Sequence, residues 1–293
     1  MEQKLPHFSI IVPTYARTRQ ISDCLQSLVR LDYPRDRFEV IIVNDGGPTV
    51  PEMVVRPVRD RLNVKIIEQT HAGPATARNT GAAQAKGEFL VFTDDDCAPS
   101  VDWLQTLAAR FAATPSHIIG GQTLNAIPND LYSTASQVLL DYLYAYYNVG
   151  SDRSFFASNN LALARELFYE VGGFDTRFPL AAGEDRDFCN RWLQRGYGMT
   201  FAPEVTVHHA HKLTLWTFCR QHFNYGRGAV YFHQARIRYG QEGIKIEPMS
   251  FYLNLLRYPF SKMHSWRAFL LAALLVVSQE AVAAGFFWGK VRH

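Results

Sequence analysis

The sequence predicts an α/β fold: a mostly parallel sheet with crossover helices, followed by a helical apolar tail. Three observations predict it. Short apolar runs alternate with segments of helical periodicity through the first third of the chain. Polar residues punctuate the carboxyl ends of those runs. The last stretch of the chain then becomes almost wholly apolar.

Taken in order, Phe8 to Val12 reads as a buried strand closed by Pro13. Ile21, Leu25, Leu28 and Val29 fall at helical spacing behind it. Phe38 to Val43 is a second strand, stopped by the turn signal Asn44-Asp45-Gly46-Gly47. Val64 to Ile67 is a third. The Ala-rich stretch from Pro74 to Ala85 reads as a helix ended by Gly87, and Phe89 to Phe92 as a fourth strand running into Asp94-Asp95-Asp96. Strand and helix alternating in this way imply parallel pairing through crossovers. Ligands of such sheets gather at the carboxyl ends of the strands, which here carry Thr14, Asp45, Asp94 and Asp96.

The second half is less regular. A tyrosine-loaded helix is expected over Ala135 to Tyr147, and a short run, Leu161 to Leu163, leads into a helix from Arg165 to Val171 stopped by Gly172-Gly173. Another helix opens at Gly183-Glu184-Asp185 and runs to about Arg195. Val205 to His208 is a short strand, and Leu213 to about His233 a long helix. The expected organisation is one globular domain over 1–240, with halves at 1–100 and 101–240, and a helical, membrane-associating tail over 241–293.

Composition narrows the partners. The chain has 293 residues, 47% of them hydrophobic, enough for a substantial core. A net charge of +3 with no Lys/Arg run speaks against nucleic acid. Cys24, Cys97, Cys189 and Cys219 are widely spaced and suggest neither zinc nor a disulfide framework. The N-terminus runs straight into strand-like sequence with no signal peptide, so a cytoplasmic setting is expected. Ala268 to Gly289 is about long enough to cross a bilayer. Glu280 near its middle would cost about 2.5 kcal/mol or more there, so a helix packed on the protein or lying on the membrane fits at least as well.

Several residues carry chemistry. Asp94 and Asp96 can aim two hard oxygen ligands into one space, suiting Mg²⁺ or Mn²⁺ bound to a diphosphate. Alone, the triplet is equally an acidic turn ending a strand. Asp45 could accept the imide proton of uracil or thymine, or simply form the turn before Gly46. Arg78, beside Asn79 on the Ala-rich helix, could hold phosphate or lie on the surface. Glu184-Asp185 at a helix start is either a cap or a general base favoured in its charged form by the helix dipole. Strand alternation puts Glu204, Thr206 and His208 on one face and Val205, Val207 and His209 on the other. The polar face is the better candidate for a site, so His208 is the expected third metal ligand, with a structural histidine as the alternative. Arg220, Asn224, Arg227 and Tyr231 share a helical stripe that could close over a diphosphate, line an acceptor channel or face solvent.

Together these motifs resemble a known family. Ile11-Val12-Pro13-Thr14-Tyr15, Val43-Asn44-Asp45-Gly46 and Ala77-Arg78-Asn79-Thr80-Gly81 resemble the nucleotide-binding half of family 2 glycosyltransferases of the GT-A fold. Phe92-Thr93-Asp94-Asp95-Asp96 is similar to their Asp-x-Asp motif, and Asn160 through Gly172-Gly173-Phe174-Asp175 to Gly183-Glu184-Asp185 resembles their acceptor half. The resemblance implies that Pro13, Thr14, Tyr15, Asp45, Arg78, Asp94 and Asp95 line the nucleotide-sugar, a UDP- or dTDP-sugar by Asp45. It implies a divalent cation on Asp96, with Asp94 on the ribose or the metal; the residue reading adds His208 as a third metal ligand and Asn160, Arg220 and Arg227 as residues facing diphosphate or acceptor. Asp185 would be the base of an inverting single displacement, with Glu184 orienting the site. The processive synthases' Gln-x-x-Arg-Trp is not matched by Gln221-His222-Phe223-Asn224-Tyr225, which favours single addition, and the apolar tail with the tyrosine-rich helix suggests a glycan or lipid-linked acceptor at the inner face of a membrane. The rivals are a nucleotidyltransferase, disfavoured by the lack of a Gly-rich loop after the first strand, and a catalytically silent sugar-nucleotide or glycan-binding protein.

Overall fold

A computed structural model describes residues 5–50, 52–148, 155–241 and 247–292. Met1 to Lys4, and 242–246 within the stretch where the domain boundary was expected, lie outside the described residues. The chain forms two compact units: Met1–Leu124 with Phe156–Pro179 and Phe188–Ala210, and Asn125–Phe155 with Leu180–Asp187 and His211–His293.

The first unit carries an eight-stranded sheet in the order β3-β2-β1-β4-β7-β6-β8-β5. Strands β1 (Phe8–Thr14), β2 (Phe38–Asp45), β3 (Val64–Gln69) and β4 (Phe89–Thr93) are mutually parallel. Their crossovers are α1 (Thr18–Val29), the short α2 (Glu52–Val55) and α3 (Pro74–Ala83). This half follows the periodicity closely, because strands buried on both faces read as continuous apolar runs; β1 and β2 are buried almost throughout. Ile10, Val12, Leu25, Leu28, Val40, Ile42, Val91 and Trp103 belong to one core.

Beyond β4 the pairing turns antiparallel. Strand β7 (Asn160–Ala164) pairs antiparallel with β4 and with β6 (Ile118–Asn125), and β5 (Cys97–Pro99) pairs antiparallel with β8 (Met199–His209). Sequence reading passed over β5, α4 (Trp103–Ala113) and β6, whose Gly120-Gly121 breaks the strand signal. A Cβ at Gly120 would strike the Phe156 ring, so glycine is there for close packing. Helix α6 (Arg165–Val171) ends at Gly172, left-handed at φ 91°, as the Gly-Gly pair predicts.

The second unit is helical: α5 (Leu131–Tyr147), the first turn of α7 (Glu184–Gln194), α8 (Leu215–Arg238), α9 (Met249–Lys262) and α10 (Trp266–Arg292). Its core gathers Val138, Leu139, Tyr142, Phe218, Phe251, Leu255, Leu271 and Leu275. The tyrosines of α5 are mostly interior: Tyr142 donates to the Phe251 carbonyl, and Tyr146 and Tyr147 donate to Glu247. Helix α10 is long and apolar enough to cross a membrane by length and composition. It runs beside α8 in the same direction, since Gly226 meets Val282 and Phe286 while Val230 meets Gly289. A side chain at Gly226 or Gly285 would enter the facing backbone, so the two helices touch main chain to main chain.

Candidate active site

The acidic triplet sits where the topology sends a ligand, at the carboxyl end of β4. Its three carboxylates have different neighbours. Asp94, about one-third exposed, accepts from Arg78 Nη2 at 3.0 Å. Asp95 is buried; it accepts from the Thr14 hydroxyl at 2.6 Å and from Arg17 Nη1 at 3.0 Å. Burial pushes the Asp95 carboxyl up to about 6, against the opposing pull of Arg17 and the Thr14 hydrogen bond. Asp96 accepts from the same Arg17 Nη1 at 3.0 Å on Oδ2, while His209 Nε2 lies 3.1 Å from its Oδ1.

The middle residue, Asp95, is therefore a brace. It ties the end of β1 to the end of β4 and is shielded from solvent. Thr14, given to Asp95, is part of the same brace. Arg78 is likewise buried, its guanidinium 5.6 Å from the Phe174 ring, and it orients Asp94.

His209, not the expected His208, reaches the acids. Alternation along β8 holds, with Val205 and Val207 buried and His208 exposed. The inference about which face matters fails, because β5 follows the triplet directly and pairs Cys97 with His209. The apolar face of β8 thus runs out of core at its last residue and delivers His209 to Asp96. Burial alone would lower the imidazole pKa, but the Asp96 hydrogen bond and the charges of Asp96 and Asp94 outweigh it, and the net shift is upward.

Asp45 ends β2 and is buried. Its Oδ1 accepts from Gln69 Nε2 at 2.7 Å and the Ala72 N–H at 2.9 Å; its Oδ2 accepts the Gly73 N–H at 2.9 Å and lies 3.0 Å from His71 Nδ1. A carboxylate offers about four acceptor sites, so this one is filled by the loop that opens α3. Gly73, at φ 90°, makes that loop possible. An imide donor would have to displace Gln69 or His71. Pro13 lies within β1 opposite Val43, and the half-exposed Tyr15 ring faces His71 with centroids 4.5 Å apart.

Asn160, expected to face diphosphate or acceptor, lies in the interior. It is 2% exposed; its Oδ1 accepts from Trp103 Nε1, and its Nδ2 donates to the Gln122 and Val205 carbonyls. Those bonds stitch three strands together.

In the second unit, Glu184 and Asp185 form the first turn of α7, Glu184 buried and Asp185 accepting the Arg186 N–H at 2.7 Å. Arg186 is held between the rings of Tyr147 and Phe232, 5.0 Å from each centroid, which pins that turn. Arg220 is exposed on α8, and Arg227 is partly buried one stripe along. Arg17, His71 and His209 are the residues that sequence reading missed. Arg17 left one signal, a basic residue just past the first strand.

A sequence profile described as Glycosyl transferase family 2 matches residues 9–173, more than half of the chain. The chain belongs to glycosyl transferase family 2. This glycosyltransferase is 28% identical over 238 residues to glycosyltransferase AglE of Haloferax volcanii, covering 78% of this chain and 75% of that protein. It is 33% identical over 140 residues to the poly(ribitol-phosphate) beta-N-acetylglucosaminyltransferase TarS of Staphylococcus aureus, covering 45% of this chain but only 24% of TarS. Among solved structures, the mannosyltransferase PcManGT of Pyrobaculum calidifontis, in complex with GDP-Man and Mn²⁺, aligns at TM-score 0.66 with 21% identity, over 98% of this chain and 88% of that one. The 1–349 segment of S. aureus TarS with UDP-GlcNAc aligns at 0.56 with 19% identity, over 96% and 89%. At these identities the likeness speaks for the GT-A-type fold.

Proposed function

We propose that this glycosyltransferase moves a sugar from a nucleoside diphosphate to an acceptor hydroxyl by a metal-assisted, inverting single displacement. The observation that carries the reading is the acid pair Asp94 and Asp96 at the carboxyl end of β4, with Asp96 bracketed by Arg17 and His209. Two carboxylates and an imidazole fit Mn²⁺ or Mg²⁺, and the site already draws positive charge to Asp96. Asp96, His209 and Asp94 would hold such a cation, which when bound offsets charge growing on the departing diphosphate. Mn²⁺ in the PcManGT complex supports the choice.

The chain's own residues do the rest. Tyr15 and His71 offer a paired ring surface beside the β1 and β2 ends for the nucleobase, and Asp45 acts through the loop it holds. Asp185 takes the proton of the acceptor hydroxyl as it attacks, and Glu184 and the pinned Arg186 keep it in place. UDP-GlcNAc and GDP-Man in the related structures support a nucleotide-sugar donor without favouring one base. Single addition to a glycan or lipid-linked acceptor is the mode we favour.

Helix α10 would meet a membrane surface side-on. Its neighbour α8 carries Arg220, Gln221, Asn224 and Arg227, too polar to share a hydrocarbon crossing. The exposed Trp266, Phe269, Phe287 and Trp288 lie near its two ends, with Arg267, Lys290 and Arg292 beside them, an arrangement suited to a lipid interface.

The decisive variant is Asp185→Asn. Transfer to acceptor should be lost while nucleoside diphosphate binding persists; unchanged transfer would remove Asp185 from the mechanism.

A further inference from the structure

Asp96 is held on both oxygens, and one of its partners is a half-exposed side chain. Arg17 Nη1 bridges Asp95 Oδ1 and Asp96 Oδ2, at 3.0 Å to each. This guanidinium is not built into the core: its side chain is 44% exposed, against 5% for Arg78 on Asp94. It is nonetheless aimed deliberately. Ala16, immediately before it, is the one non-glycine residue with positive φ (54°) among the described residues. An L-residue in that region costs about 1–2 kcal/mol, and such strain persists where surrounding contacts impose it.

We propose that Arg17 is a resident counter-cation: it occupies one oxygen of the Asp96 carboxylate until metal and nucleotide arrive, and then passes to the diphosphate. The proposal rests on the reading of Asp96 as a metal ligand. A divalent cation held by the Asp96 carboxylate would stand within a few ångströms of the guanidinium, and two positive charges at that separation repel. Metal entry therefore requires Arg17 to leave Asp96. Its exposure lets it swing, and its second contact, Asp95, keeps it at the rim. A guanidinium there is suited to pair with diphosphate oxygens through parallel N–H donors. Metal alone should then bind weakly, because it must evict Arg17. Metal with nucleoside diphosphate should bind cooperatively, because the diphosphate gives Arg17 a new partner.

The test is Mn²⁺ binding to the full chain by calorimetry or electron paramagnetic resonance, with and without UDP or GDP. Arg17→Met should tighten Mn²⁺ binding to the protein alone about three- to tenfold, the scale of a half-exposed ion pair. It should weaken nucleoside diphosphate binding at saturating Mn²⁺ about tenfold, which reduces the coupling between the two ligands. Arg17→Lys should shift both quantities in the same directions by less, and it decides the matter if the methionine variant does not fold. Unchanged or weaker Mn²⁺ binding in a variant that melts like wild type overturns the resident-cation role. Tighter Mn²⁺ binding with unchanged diphosphate affinity overturns the hand-over. Asp96→Asn separates this from the parent reading: wild-type Mn²⁺ affinity in that variant means that Asp96 is no metal ligand, whatever Arg17 does.

Discussion

His209 Nε2 lies 3.1 Å from Asp96 Oδ1, a contact made possible by the antiparallel register that sets Cys97 opposite His209. Its neighbour His208 is exposed on the other face of the strand. The two histidines should therefore separate cleanly. His209→Ala should weaken Mn²⁺ binding by about tenfold or more, and His208→Ala should leave it within about twofold. Titration of Mn²⁺ into each variant checks this, and equal effects would return the ligand role to the polar face of β8.

Asp45 supports a loop more than it faces a ligand. Asp45→Ala strands the buried N–H of Gly73 and removes the partner of the Ala72 N–H, a loss of about 1–3 kcal/mol. The melting temperature should fall even without any nucleotide. Asp45→Asn, which keeps an acceptor, should lose less. A wild-type melting temperature in the alanine variant would mean that the loop does not depend on Asp45.

Gly226 inverts an ordinary rule. Replacing a helix-interior glycine by alanine usually stabilises by about 0.5–1 kcal/mol. Here the new methyl would enter the Val282 carbonyl of α10, so Gly226→Ala should destabilise by about 1–3 kcal/mol. Hydrogen exchange should show faster opening of α8 and α10 in the variant. A gain in stability would mean that the helices do not meet backbone to backbone.

His222 gives the second unit a pH dependence. It is 1% exposed, and neither ring nitrogen has a hydrogen-bond partner among the described residues. Burial, helped by the charge on His211, pulls its pKa down to about 4 from an ordinary 6.5. The folded chain thus binds fewer protons than the unfolded chain between these values, so stability is complete above about pH 6.5 and declines as the pH falls toward 4. The loss amounts to at most about 3 kcal/mol. His222→Phe should flatten denaturant-derived stability across that window, leaving a smaller slope from His233, which is also lowered to about 4. A slope unchanged by the substitution would assign the dependence elsewhere.

Much of this protein was determined by its sequence alone. The runs Phe8 to Val12, Phe38 to Val43 and Phe89 to Phe92 read as buried strands because they are apolar over most of their length, and Val64 to Ile67, which carries Lys65, as a partly covered one. Their carboxyl ends then placed Thr14, Asp45 and the aspartates on one edge, and five motifs in order pointed to the family. What the sequence left open was decided by contacts between residues distant along the chain. Whether Asp45 is free or filled depends on Gln69 and the His71–Gly73 loop; whether Asn160 binds or braces depends on Trp103 and Val205; and which histidine meets Asp96 depends on the pairing of β5 with β8. Periodicity reports which way a side chain points from its own strand. It carries no information about what stands opposite, and at this site the partner opposite assigns each residue its task.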